Sequence, residues 1–503
     1  MLGRIDYQSI CGLQWNRTFK MAKIFILVAA IIAIALAAPS EKRKVSLKKF
    51  FEQRMPFREP APFDGPIPAN VTLLTVTQRV DNFNPANLDT WQQRYFMNNE
   101  FYRPGSPIFV FLGGESAINE QRLTSSHMYD IARDLNANLF HLEHRFYGES
   151  RPTENVSDAN LRFLTVEQAL ADTAHFINHI QSTVEGAANA QFILVGAHYS
   201  ASLAVWFRQQ YPHLVRGVWA SSAPLPSIVD FDQYKVAIGA AFRRLGGDSC
   251  YNALEAGFSS TLEMIEAEEW EELSEYFRLC WDLGPDDVPH FFGIMGEFYG
   301  LLPITATEAS IRGTCALLQG PGHPVANVAA ILNFFFAPDE CLVIDHAYII
   351  EAERQIEWDA PAVVVGDRQW SYQMCSSIGW FHTSGAFPDQ PFGDAFPVEI
   401  YHETCEEIFG ASFTPDRLER NSNRFNTFYG GLTPQITNAV FVYGQHDPWN
   451  VIGRTTDLND DAVSIVIAGG TQGNDLPPIR DNDSAAVVAA KRRIQELIEG
   501  WLA

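Results

Sequence analysis

The 503-residue chain is poor in positive charge: 36 Lys and Arg stand against 60 Asp and Glu, a formal net charge of −24. A field of that sign repels phosphate backbones and anionic lipid surfaces, which excludes nucleic acid as a partner class. No histidine follows His446, so proton transfer involving the C-terminal segment has no imidazole to use. The cysteines never take a CxxC spacing and no H-E-x-x-H occurs; neither a metal nor another cofactor has support in the sequence. The apolar run at 24–38 falls short of the roughly 20 residues that span a bilayer, so no membrane span is expected. Internal repeats and low-complexity tracts are absent.

Lys23 precedes that apolar run and Pro39-Ser40 follows it. This is the pattern of a secretory signal over 21–38, with residues 1–20 an extension ahead of a start at Met21. The expected address is secreted or in the lysosomal lumen. With Cys11 set aside, Cys250, Cys280, Cys315, Cys341, Cys375 and Cys405 form an even set in the second half of the chain. In an oxidising lumen they imply three disulfides, and six cysteines leave 15 connectivities open. Asn70, Asn155 and Asn482 each begin an N-x-S/T glycosylation acceptor.

Short apolar runs at 107–114, 137–143, 191–195 and 217–220 alternate with segments of helical spacing such as 165–180. Two more runs, 439–443 and 463–467, precede an amphipathic stretch at 485–502. Strands alternating with helices predict an α/β fold with a mostly parallel sheet covered on both faces. The sheet is split: 39–229 and 427–503 carry its two parts, and 230–426 is an insertion. That insertion holds all six lumenal cysteines and helix-like stretches at 253–279 and 326–336. It reads as a mainly helical, disulfide-bearing cap over the edge where open α/β sheets bind ligands. The Pro-rich segment 55–68 reads as an extended lead-in.

Residues 191–201 spell QFILVGAHYSA. A strand, small residues and a following helix are the setting of the nucleophile elbow of an α/β-hydrolase, G-x-S-x-G, whose third residue is lifted toward a substrate carbonyl. Here that residue is His198, and an imidazole cannot replace a serine hydroxyl in forming a stable acyl-enzyme. Ser200 and Ser202 lie past the tip, where hydroxyls cap backbone N–H groups. Backbone N–H groups of Gly114, in the stretch Gly113-Gly114-Glu115, and of Tyr199 are candidates for an oxyanion site.

Further stretches extend the pattern: QRVDNFNPANLDTWQQRYFMNNEFY (78–102), LEHRFYGESRP (142–152), LTVEQALAD (164–172), RQWSYQMC (368–375), QPFGDAFP (390–397) and YGGLTPQITNAVFVYGQHDPWN (429–450). In this order they resemble the serine peptidases that include prolyl carboxypeptidase, a lysosomal dipeptidyl peptidase and the thymus-specific serine peptidase. The resemblance implies an α/β-hydrolase with a helical cap and removal of residues next to proline from peptide ends. It implies that the nucleophile position is His198, that the acid is retained as Asp447 in YGQHDPW, and that the base of an A-H-H-x-D-L segment is lost in TQGNDL, to Gln472 and Gly473. Asn82 and Ser377 depart from the family's typical histidine and acidic residue. His446 is expected to pack or face solvent rather than serve as base, and Asp475 does not complete a metal set with His198 and Asp447. The expectation is a catalytically inactive homologue that binds peptide ends, proline-containing ones included, or pairs with an active paralogue. The alternative is an active prolyl exopeptidase with an unrecognised nucleophile and base.

Overall fold

The computed structural model describes residues 43–45, 67–305 and 308–503. The signal read at 21–38, the extension 1–20 and nearly all of the Pro-rich lead-in lie outside the described residues.

Eight strands form one sheet: β1 (Val71–Arg79), β2 (Thr90–Asn98), β3 (Ile108–Leu112), β4 (Asn138–Leu142), β5 (Phe192–Ala197), β6 (Gly217–Ser221), β7 (Ala439–Gly444) and β8 (Ala462–Ile467). Their order is β8-β7-β6-β5-β3-β4-β2-β1. From β4 to β8 every pairing is parallel. The helices that position the site are α1 (His127–Leu135), α2 (Val166–Thr183), α3 (Tyr199–Gln210), α4 (Gln233–Gly246), α5 (Asp248–Glu266), α6 (Trp270–Tyr276), α7 (Val288–Thr305), α8 (Pro324–Phe334), α9 (Pro415–Tyr429) and α10 (Ala485–Leu502).

Side chains alternate across a strand, and here both alternating sets are apolar. Val110, Leu194, Val218 and Phe441 face one way and pack with Phe176 and Ile177 of α2 and Trp206 of α3. Phe109, Phe111, Ile193, Val195, Trp219 and Val442 face the other way, against Ile131 of α1 and Ile494, Ile498 and Trp501 of α10. Burying each such side chain stabilises the fold by roughly 1.5–3 kcal/mol, and together they fix the register of the central strands. Gly217 is required where α10 crosses: a Cβ there would lie 2.4 Å from the Trp501 ring.

The predicted parallel strands and the closing helix are all found, and the α/β-hydrolase layering is as expected. Two elements differ. The antiparallel hairpin β1–β2 was not anticipated, because its alternation is blurred: Leu73 is exposed while the polar Gln78 and Gln93 are buried. The single helical stretch expected over 253–279 is two helices, α5 and α6; Glu268 between them takes a left-handed φ of 58°, which ends a helix. The insertion boundary drawn at 426 falls inside α9.

The insertion between β6 and β7 is mainly helical and carries three disulfides, Cys250–Cys315, Cys280–Cys341 and Cys375–Cys405. Within it a parallel pair of short strands, Ile228–Asp230 with Gly379–Phe381, ties its first segment to a later one. Two of the resembling stretches turn out to be structural. Arg145 of LEHRFYG is fully buried and donates to both carboxylate oxygens of Asp172 in LTVEQALAD, at 2.6 and 2.7 Å. Its remaining donors reach Val80 O, Phe163 O and Arg79 O, so the buried charges are paired and hydrogen-bonded, as burial demands. Asn82 joins this network with 2.9 Å to Asp172 Oδ1.

Candidate functional site

The C-terminal end of β5 turns into α3 through His198, whose φ of 56° and ψ of −128° lie outside the regions ordinary residues favour. Such local strain persists only where the surroundings over-determine it. His198 N–H donates to Ser221 O at 2.9 Å, and its own carbonyl accepts from Ala201 and Ser202. Gly196 makes the turn possible, since a Cβ there would sit 2.3 Å from Ser200 O. The elbow therefore keeps a tight strand-to-helix geometry around a histidine, whose ring meets the Trp449 edge with centroids 5.2 Å apart.

The two nearby serines are committed elsewhere. Ser200 Oγ accepts from Ala197 N–H and donates to Ala197 O, both at 3.0 Å. Ser202 Oγ donates to Pro224 O and is fully buried. In the stretch expected to supply oxyanion donors, Gly113 N–H is taken by Leu142 O at 2.7 Å. Gly114 lies against the first turn of α3, with Ser200 Cβ 3.8 Å from where its own Cβ would be. Tyr199 follows the elbow tip; its buried hydroxyl accepts from Gln373 Nε2 at 2.8 Å and meets His144 Nε2 at 3.3 Å. Burial pushes the Tyr199 phenol up and the His144 imidazole down to about 4, so both stay neutral.

Asp447 follows β7 and is 1% exposed. Its Oδ1 accepts from Trp449 N–H at 3.1 Å, while Oδ2 has no hydrogen-bond partner among the described residues. Burial pushes the carboxyl up to about 7; the Ser222 hydroxyl and the Trp449 amide act against this, and Asp475 adds to it. A catalytic imidazolium beside this carboxylate would favour its charged form. Nearby runs the loop Thr471–Leu476. Gly473 N–H donates to Ser222 Oγ at 3.3 Å, and Gly473 has φ 65°. Both polar side-chain atoms of Gln472 are buried and without a hydrogen-bond partner among the described residues.

Asp475 anchors this loop. It accepts from Trp219 Nε1 and Ser221 Oγ, each at 2.7 Å, and burial raises its proton affinity. His446 is buried with Nδ1 3.1 Å from Arg244 Nη1 of α4, so adjacency to Asp447 in sequence does not aim it into the site. Among the described residues no group of three His, Cys, Asp or Glu side chains is placed to hold a metal. No described helix is long and apolar enough to cross a membrane.

Sequence reasoning missed four contributors. Ser222, with φ 57°, accepts from the loop at Gly473 N–H and lowers the proton affinity of Asp447. Trp449 packs against His198 and also against Phe231, Tyr234, Trp380 and His382 of the insertion, with centroids 5.3–5.8 Å apart. Trp219 and Ser221 alternate onto one face of β6, a pattern that could have flagged the Asp475 contacts. The sequons are superficial: Asn482 is exposed, while Asn70 and Asn155 are half-buried and bond Glu100 and Ser157.

A sheet of this order with a strained elbow after its central strand and a carboxylate after a later one defines an α/β-hydrolase. The chain belongs to the serine carboxypeptidase S28 family, which matches residues 78–494. It is 30% identical over 446 residues to the thymus-specific serine protease of Mus musculus, covering 84% of this chain and 86% of that one. Lysosomal Pro-X carboxypeptidase of Homo sapiens is 27% identical over 455 residues, covering 86% and 88%. Among solved structures, proline iminopeptidase of Mycobacterium smegmatis aligns over 85% of this chain and 97% of that chain at 12% identity, with a TM-score of 0.36.

Proposed function

We propose that this chain is a secreted or lysosomal S28-family protein that has lost acyl transfer and retains a peptide cleft, a binding or regulatory pseudopeptidase. The observation that carries the reading is the composition of the triad space. His198 occupies the elbow tip, Gly473 and Gln472 occupy the loop beside Ser222, and Asp447 is left with a proton affinity near neutrality. A serine peptidase needs a hydroxyl activated by a positioned base, and neither Ser200 nor Ser202 has a free geometry for that role. In subtilisin, loss of the serine or the histidine alone lowers turnover by about 10⁶.

The relatives' names point to serine proteases and to a carboxypeptidase acting at Pro-X bonds, which motivates proline-containing peptides as ligands and an active relative as partner. Three disulfides and the acceptors Asn70, Asn155 and Asn482 suit a lumenal address. The test is incubation of the purified protein with a fluorophosphonate probe and with proline-containing peptides. No adduct and no amide cleavage are expected; stoichiometric serine labelling with turnover would overturn the reading.

A further inference from the structure

A short strand of the insertion, Glu340–Leu342, shares no residue with the triad space and is bonded to its own neighbours on one side only. Leu342 N–H donates to Arg278 O and Leu342 O accepts from Cys280 N–H, each at 3.0 Å. The Cys280–Cys341 disulfide pins the same two segments. Glu340 N–H is taken by Ala337 O at 3.0 Å, so the Cys341 amide is left to serve the outer edge. A strand edge of this kind is a template for another extended segment.

That edge is filled from far along the chain. Arg43–Val45 runs parallel to it, with Arg43 opposite Glu340, Lys44 opposite Cys341 and Val45 opposite Leu342. Three residues of ladder hold little by themselves in water. The added grip is on Lys44, whose Nζ stands 4.5 Å from the ring centre of Trp281 and 5.5 Å from that of Tyr348. The two rings tilt together at 5.2 Å and are 37% and 44% exposed. They form an aromatic notch at the surface, and the negative faces of such rings attract a cation.

Charge selects the same class of occupant. Asp282 follows Trp281, Asp339 precedes the strand, and Asp345 caps the helix His346–Arg354 that carries Tyr348, accepting from Tyr348 N–H. The guanidinium of Arg278 is committed to the carbonyls of Ala337, Pro338 and Glu340. In a chain of net charge −24, the stretch EKRKVSLKK (41–49) carries five bases and one acid, which suits it to these surroundings.

We infer that the Glu340–Leu342 edge and the Trp281–Tyr348 notch form a strand-addition site for an extended basic segment, and that its occupant is the chain's own Arg43–Val45, anchored by Lys44. The ladder binds any extended backbone; the notch supplies the choice of a cation opposite Cys341. This interaction is independent of whether acyl transfer is lost.

The test is hydrogen exchange of the purified protein, read by mass spectrometry over 43–45 and 340–342, for wild type, Lys44→Arg and Lys44→Glu. Wild type and Lys44→Arg should protect both segments. Lys44→Glu should speed exchange at the outer edge by about tenfold, the loss expected for two exposed cation–π contacts. Acetyl-Glu-Lys-Arg-Lys-Val-Ser-amide in millimolar excess should restore slow exchange over 340–342 in Lys44→Glu, and the same peptide carrying Lys44→Glu should not. Trp281→Ala, which cuts the notch from the other side, should match Lys44→Glu. Unprotected exchange over 43–45 in wild type would overturn the inference. So would wild-type protection in Lys44→Glu or Trp281→Ala, or a basic peptide that restores nothing.

Discussion

Rebuilding the acyl transfer that the proposed function takes as lost is the sharpest probe of the site, and the residues around His198 and Asp447 set how much must be rebuilt. His198→Ser alone supplies a hydroxyl but no base, so its turnover should stay at the background. Adding Gly473→His places an imidazole in the loop whose 473 N–H bonds Ser222, the residue beside Asp447. Space permits it: the nearest atom to a Cβ at 473 is Leu476 Cδ1 at 3.6 Å. The φ of 65° adds strain of about 1–2 kcal/mol, and losing the His198–Trp449 edge contact costs about 0.5–1.5 kcal/mol. Both are small beside the roughly 5–15 kcal/mol stability of a folded protein, so the double variant should fold. A positioned general base contributes about 10²–10⁴-fold, and the double variant should exceed the single by that factor in hydrolysis of proline-containing peptides. Its activity should rise with pH through about 6.5, as the new imidazole loses its proton. Comparable activity in His198→Ser alone would refute the reasoning, because it would mean that another residue already acts as base.

Asp447 predicts an unusual pH dependence of stability. Its folded value of about 7 lies above the ordinary 3.8, so between these pH values the unfolded chain releases a proton that the folded protein keeps. Stability should fall as pH rises across that window, by about 1.4 kcal/mol per unit and on the order of 4 kcal/mol in all. Asp447→Asn should remove that loss and melt higher at pH 8, as read by thermal denaturation at several pH values; an unchanged profile would show that the carboxyl is not held protonated. Gln472→Met replaces an unpaired buried amide with an apolar chain of similar length and should raise stability by about 1–2 kcal/mol, whereas a lower melting temperature would mean the amide is satisfied in solution. Peptide mapping without reduction should recover Cys250–Cys315, Cys280–Cys341 and Cys375–Cys405. Removing Cys375–Cys405, which closes a loop of 30 residues, should cost about 2–4 kcal/mol in denaturant unfolding.

Much of the sheet domain was legible because both faces of its central strands are buried, which makes them continuous apolar runs such as 108–112 and 439–443. The β1–β2 hairpin escaped because an edge position tolerates Thr, Gln and Arg on its open side. The elbow was legible for a local reason: a strand, small residues and a helix are contiguous there. Ser222 and Trp449 were not, since their roles come from neighbours far along the chain. The helix expected over 253–279 runs through Glu268, where nothing in the composition announces a left-handed residue.

Sequence alone determined which atoms are available. The absence of a hydroxyl at 198 and of any imidazole after His446 is a matter of covalent identity, and folding cannot supply either. Only tertiary structure decided how the remaining groups behave. Asp447 holds its proton near neutrality because the fold removes it from water, and the cysteines pair because the insertion brings distant segments together. Proton affinity and orientation depend on desolvation and on long-range neighbours, neither of which exists until the chain has folded.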